Sequence, residues 1–140
     1  MTTPLIICLE GADGSGKTTQ AQLLKYCIAN NNLKVILSRE PGGSYIGEEL
    51  RNIVLKSPLN QVTNVMLYTI IRYNHIQETI TPALNNGNII ILDRYLLSTL
   101  VYQGEDNKDL INKIKLLHKE FNGNLYPNLT LILETESKLA

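Results

Sequence analysis

Leu5-Ile6-Ile7-Cys8-Leu9-Glu10-Gly11-Ala12-Asp13-Gly14-Ser15-Gly16-Lys17-Thr18-Thr19 decides how the rest of the chain is read. An apolar run of strand length feeds a G-x-x-x-x-G-K-T pattern, and a helical pattern follows as far as Ala29. This is a phosphate-binding loop in the strand–loop–helix setting that its chemistry requires. The backbone of Gly11, Ala12, Asp13, Gly14, Ser15, Gly16, Lys17, Thr18 and Thr19 can turn its N–H groups onto phosphate oxygens, and the helix adds its positive N-terminal end. Lys17 is placed for the β- and γ-phosphates of a nucleotide, and the Thr18 hydroxyl for Mg2+.

Outward from the loop, apolar runs alternate with helical patterns. Strands are expected over Leu5–Glu10, Leu33–Ser38, Ile89–Asp93 and Leu129–Leu133, and helices over Lys17–Ala29, Ile46–Leu55, Asn64–Leu84, from Leu96, and over Lys108–Phe121. Strands this hydrophobic in βα alternation predict an α/β fold, a parallel sheet covered by helices on both faces, with ligands at the carboxyl ends of the strands. The breaks at Pro41-Gly42-Gly43, Asn85-Asn86-Gly87 and Asn122-Gly123-Asn124 read as loops within a single domain of residues 1–140.

With 13 basic and 13 acidic side chains the formal net charge is zero, so nothing favours a broad electrostatic grip on nucleic acid or an anionic membrane. Small molecules are the expected partners. No apolar run approaches the roughly 18–20 residues of a membrane span, and Met1–Pro4 carries no basic leader, so a cytoplasmic location is expected. Cys8 and Cys27 lack metal-ligand spacing and are both expected as buried free thiols.

Arginine is used only at positions 39, 51, 72 and 94. Arg39 and Arg94 fall at strand carboxyl ends, and Arg51 and Arg72 on the helical segments between them. A planar fork of donors suits phosphate and a nucleobase carbonyl, so the four are expected to converge on one anion-and-base site. Ile89-Ile90-Ile91-Leu92-Asp93 is a buried strand ending in a carboxylate. A strand-end Asp can simply cap the next helix, but downstream of the loop and beside Arg94 the stronger reading is a second hold on Mg2+.

Taken together these stretches resemble the thymidylate kinase family. The resemblance is carried by Leu9 to Gln20, by Arg39-Glu40-Pro41-Gly42-Gly43 with Gly47-Glu48-Glu49-Leu50-Arg51, by Tyr68 to His75, by Asp93-Arg94-Tyr95 with Ser98 to Gly104, and by Pro127-Asn128-Leu129-Thr130. It implies the P-loop NTPase fold of the nucleoside monophosphate kinases, with the first strand central, Ile89–Asp93 and Leu129–Leu133 beside it and Leu33–Ser38 outermost. It also implies transfer of the ATP γ-phosphate to dTMP, with Mg2+ as cofactor, in a homodimer.

Residue by residue, the resemblance gives Asp13 the 3′-hydroxyl of the deoxyribose and Arg39, Arg51 and Arg94 the dTMP phosphate. Lys17, Arg39 and Arg94 become the catalytic cations. Tyr68 stands where an aromatic ring stacks on thymine, and Arg72 one turn later where a donor meets the thymine 4-carbonyl. Thr99 and Gln103 match positions near the other polar edge of the base. Tyr102 matches a ring against the sugar that favours deoxyribose. His75 matches a family position but carries no catalytic argument of its own.

Gly14-Ser15 leaves the loop without an arginine, which resembles those members that supply the catalytic cation from a lid. The resemblance sets that lid, with the last strand and helix, beyond Ala140, and reads Glu134 to Leu139 as the start of the helix leading to it. The domain is therefore expected to be C-terminally incomplete. The competing readings are another nucleoside or nucleotide kinase, and a non-catalytic remnant that binds dTMP or an intact subunit.

Overall fold

The computed structural model describes residues 4–134. The expected lid-ward helix after Glu134 lies outside the described residues. Four parallel strands, β1 (Leu5–Gly11), β2 (Val35–Arg39), β3 (Ile89–Asp93) and β4 (Leu129–Leu133), stand in the order β2-β3-β1-β4, as the sequence led us to expect. Leu9 lies opposite Asp93, Asp93 opposite Arg39, and Gly11 opposite Leu133. The loop after β1 and the charged ends of β2 and β3 thus share one edge of the sheet.

Helices cover both faces: α1 (Lys17–Asn30), α2 (Tyr45–Lys56), α3 (Gln61–His75), α4 (Thr81–Asn85), α5 (Leu96–Tyr102) and α6 (Lys108–Phe121). Alternate strand residues divide the core. Ile6, Cys8, Ile90 and Leu92 pack with Val65, Ile76, Ile80, Leu96, Leu110 and Ile114, whereas Leu9 and Ile91 pack with Ala21 of α1. Side chains that alternate yet are buried on both sides are the mark of a central parallel strand. Ser44, Asn60 and Asn107 cap α2, α3 and α6 by accepting from the backbone N–H three residues on.

Two expectations are corrected. The helix expected over Asn64–Leu84 is interrupted by a π-helical turn at Ile76–Ile80. His75 and Ile80 are both fully buried at a spacing of five, which a π turn brings onto one face and an α-helix does not. Cys27 is exposed, not buried. The inward stripe of α1 runs through Lys17, Ala21, Leu24 and Ile28, so Cys27 falls one position off it. Cys8 is buried, and burial followed by the charge of Glu10 pushes its thiol well above the ordinary range. No described helix is long and apolar enough to cross a membrane.

On α6, His118 Nε2–H donates to the Leu125 carbonyl at 2.8 Å, which leaves a buried Nδ1 without a partner. Burial, then the charge of Arg72, holds the imidazole below its ordinary value of 6.5. The folded state therefore favours neutral His118, while the unfolded chain takes up a proton as pH falls through about 6.5. Stability is expected to decline from pH 6.5 downward, in a window above that of the carboxylates. His118→Gln, which keeps a donor for Leu125, should flatten this decline in urea titrations at pH 7 and 5.5; a wild-type midpoint unchanged between these values would contradict it.

Candidate functional site

The loop between β1 and α1 is built for anions. Gly16, at φ 84°, takes the left-handed backbone that L side chains rarely adopt, and α1 begins there with no side-chain cap. The first helical N–H groups remain available to a ligand. Lys17 Nζ folds back onto the Ala12 carbonyl and, at 3.3 Å, Ser15 Oγ. Burial and then Arg94 pull its ammonium below the ordinary value, partly offset by Asp13 and Asp93. Thr18 Oγ1 donates to Asp93 Oδ2 at 2.5 Å, so the two expected metal-linked side chains meet.

Next to the loop is a cleft of about 430 Å³ lined by Asp13, Arg51, Tyr68, Arg94, Thr99, Tyr102 and Gln103, among others. Seven of the residues expected from sequence to bind one acceptor thus share a single cavity. Arg94 is the pivot. Its φ of 71° is unusual for a side chain with a Cβ, and the turn directs the guanidinium to Asp13, to Ser98 Oγ at 2.8 Å and over the Tyr102 ring at 5.3 Å. Arg51 donates to the Pro41 carbonyl. Burial raises the Tyr68 phenol.

The other two arginines are placed differently. Arg39 lines a neighbouring cleft with Thr18 and Asp93 and pairs with Glu48 at 2.8 Å, on the exposed edge of the sheet. Arg72 is 2% exposed and lies behind the cleft wall rather than on it. It is paired there with Glu40 and bonded to Thr99 Oγ1 at 2.8 Å. His75 is fully buried against Glu40 Oε1 at 3.0 Å and Ser38 Oγ at 2.7 Å.

Glu10, Glu40 and Ser98 lie inside the motifs without a role that the sequence assigns them. Glu10 accepts from Tyr95 N at 2.9 Å, Ser98 N at 3.3 Å and Ser98 Oγ at 2.6 Å, tying β1 to the start of α5 and, through Ser98, to Arg94. The available signal was a carboxylate ending an otherwise apolar strand. Such a group is seldom buried without work to do.

Among the described residues no group of three His, Cys, Asp or Glu side chains could hold a metal by itself. Thr18 and Asp93 nonetheless fit Mg2+, a hard cation commonly bound through one or two protein oxygens with nucleotide phosphates and water completing the shell.

Comparison with known proteins follows the geometry. A family model described as thymidylate kinase matches residues 9–140. The thymidylate kinase of Neorickettsia sennetsu is 39% identical over 129 residues, covering 92% of this chain and 65% of the relative. That of Orientia tsutsugamushi is 40% identical over 134 residues, covering 96% and 61%. The chain thus spans less than two thirds of the length of these relatives. The crystal structure of thymidylate kinase from Ehrlichia chaffeensis superposes with a TM-score of 0.85 at 34% identity, over 94% of this chain and 75% of that one.

Because Glu10 alone satisfies two backbone donors and a hydroxyl at the cleft wall, Glu10→Ala is expected to lower unfolding free energy by about 1.5–3 kcal/mol. Urea denaturation checks this. A loss under about 0.5 kcal/mol, the usual range for an inert surface change, would show that the three bonds do not hold α5 to the sheet.

Proposed function

The chain belongs to the thymidylate kinase family, and from that premise we propose that it transfers the γ-phosphate of ATP to dTMP, yielding dTDP and ADP. The observation that carries this reading is the single cleft in which Asp13, Arg51, Tyr68, Arg94, Thr99, Tyr102 and Gln103 meet, next to the loop bearing Lys17. Its volume suits one nucleotide-sized ligand. Arg51 and Arg94 would take the acceptor phosphate, Asp13 the 3′-hydroxyl, the rings of Tyr68 and Tyr102 the base and sugar, and Thr99 and Gln103 the polar edge of the base.

The reaction needs no side-chain nucleophile. An oxygen of the dTMP phosphate attacks the γ-phosphorus in line as the bond to the ADP oxygen breaks. Two anions must approach one another, so the protein's task is alignment and charge neutralisation. Lys17 would leave the Ala12 carbonyl for the β- and γ-phosphates, and the N-terminal N–H groups of α1 would bind the donor. Arg94, tied to both Asp13 and Ser98, would keep the acceptor facing that donor, with Arg39 adding positive charge at the sheet edge. Mg2+ would be held by Thr18 and Asp93 and, when bound, supplies Lewis-acid neutralisation of phosphate oxygens.

A homodimer is the assembly we propose. Val62, Met66, Ile70 and Tyr73 are exposed along one stripe of α3, apolar surface that a second copy would cover. Zero net charge and free cysteines are in keeping with a cytoplasmic enzyme of small anionic substrates, not of nucleic acid. Another nucleotide kinase activity is not favoured, since the relatives and the structure matched are thymidylate kinases.

Two measurements test the reading. A coupled ADP-release assay with dTMP, dUMP, dCMP and thymidine is expected to rank dTMP first, with thymidine inert for want of a phosphate to engage Arg51 and Arg94. Equal rates with dTMP and dCMP would overturn it. Lys17→Ala should reduce kcat by about a hundredfold or more while leaving dTMP affinity by calorimetry nearly unchanged, because its charge belongs to the donor side. A variant as active as wild type would dismiss the assigned donor site.

A further inference from the structure

Three ionisable side chains meet in the interior at the junction of β2, α3 and the cleft: Glu40 is 4% exposed, Arg72 2% and His75 0%. Glu40 Oε2 accepts from Arg72 Nε at 2.8 Å and pairs with Nη2 at 2.7 Å, while Oε1 faces His75 Nδ1 at 3.0 Å. The guanidinium lies over the Tyr95 ring, 4.9 Å from its centroid. Burial alone would raise the Glu40 carboxyl, but the charge of Arg72 and the bond from His75 outweigh it and hold it below the ordinary range. The loop that carries Glu40 is pinned over the same cluster. A Cβ on Gly43 would stand 2.3 Å from His75 Nε2, and Thr79 of the π turn donates to the Gly43 carbonyl.

Arginine has no acceptor atom, so in its bond with Arg72 Nη2 the Thr99 oxygen must accept. The Thr99 hydroxyl proton is then free to point elsewhere. It has no protein acceptor among the described residues, and Thr99 lines the cleft. We propose that Glu40 determines the base selectivity of the cleft by fixing this polarity: it clamps Arg72, Arg72 makes Thr99 accept, and the one Thr99 hydroxyl proton is left facing the cleft as a donor. Because Arg72 stands behind the wall and Thr99 on it, the hydroxyl and not the guanidinium would meet position 4 of the base, and a pyrimidine with a carbonyl there matches it. One with a 4-amino group sets donor against donor and is rejected. Glu40 acts here as a positioning residue, through Arg72. The inference rests on the nucleoside monophosphate reading of the cleft and adds which interior group makes it selective.

The test is calorimetric binding of dTMP and dCMP, without ATP, to wild type, Glu40→Gln, Arg72→Gln and the double variant. The quantity read is the ratio of the two affinities in each protein, in which a reduced folded fraction cancels. Glu40→Gln keeps the shape but removes the charge, and is expected to cut the preference for dTMP about tenfold or more. On the Arg72→Gln background the same change should shift the ratio less than about twofold, because the two side chains act as one unit. Thr99→Val, close in volume, should also reduce the ratio; it and Glu40→Asp, which keeps the charge but draws it back by one methylene, serve if the Gln variant does not fold. An unchanged ratio in the folded Glu40 variant, an unchanged ratio in Thr99→Val, or an equal shift with and without Arg72 overturns the proposal. A wild-type protein that does not prefer dTMP refutes the substrate reading itself, and a preference that survives loss of Glu40 refutes only this inference.

Discussion

The parallel pairing of β1 with β3 is the contact on which the site depends. Each strand ends in a sharp turn carrying chemistry, the phosphate-binding loop after one and Asp93-Arg94 after the other, and the register sets Leu9 against Asp93. A shift of one residue would turn every side chain of β3 to the opposite face. Thr18 would lose Asp93, and Arg94 would no longer reach Asp13. In the observed register Ile89 to Leu92 are all buried between two helical layers.

Two interior carboxylates then build the two walls of the cleft. Glu10 gathers the backbone of Tyr95 and Ser98, and Glu40 gathers Arg72 and His75. The Glu40–Arg72 pair is not an efficient way to gain stability, since a buried ion pair often does no better than well-packed hydrophobic groups in its place. Removing one partner is another matter, commonly costing about 3–5 kcal/mol because the remaining charge is stranded. Such groups convey position more than strength, and the arginines they orient are fixed before any ligand arrives. A pre-set guanidinium loses little further freedom on binding.

Much of this was legible in the sequence, and the reasons differ by element. Ile89–Asp93 and Leu129–Leu133 were read with the observed bounds because short β-branched and leucine runs between turn signals have little alternative. Lys108–Phe121 was likewise read with the observed bounds. The π turn at Ile76–Ile80 was hidden, since an apolar pattern does not tell a spacing of five from irregular spacing in a helix. Cys27 was misjudged for a related reason: thiols are often buried, but helix phase decides, and its phase points outward. The placing of Arg72 was out of reach. Sequence shows that an arginine is available, not that a glutamate 32 residues earlier draws it inside.

Lys17 folds back to give the loop an internal contact of its own. The ammonium rests on the Ala12 carbonyl, inside the cradle that is meant for phosphate. Any ligand must therefore displace an internal contact before making its own, and a neutral or singly charged molecule has little with which to do so. The same ammonium that closes on the loop's own carbonyl is the charge a phosphate would draw away from it.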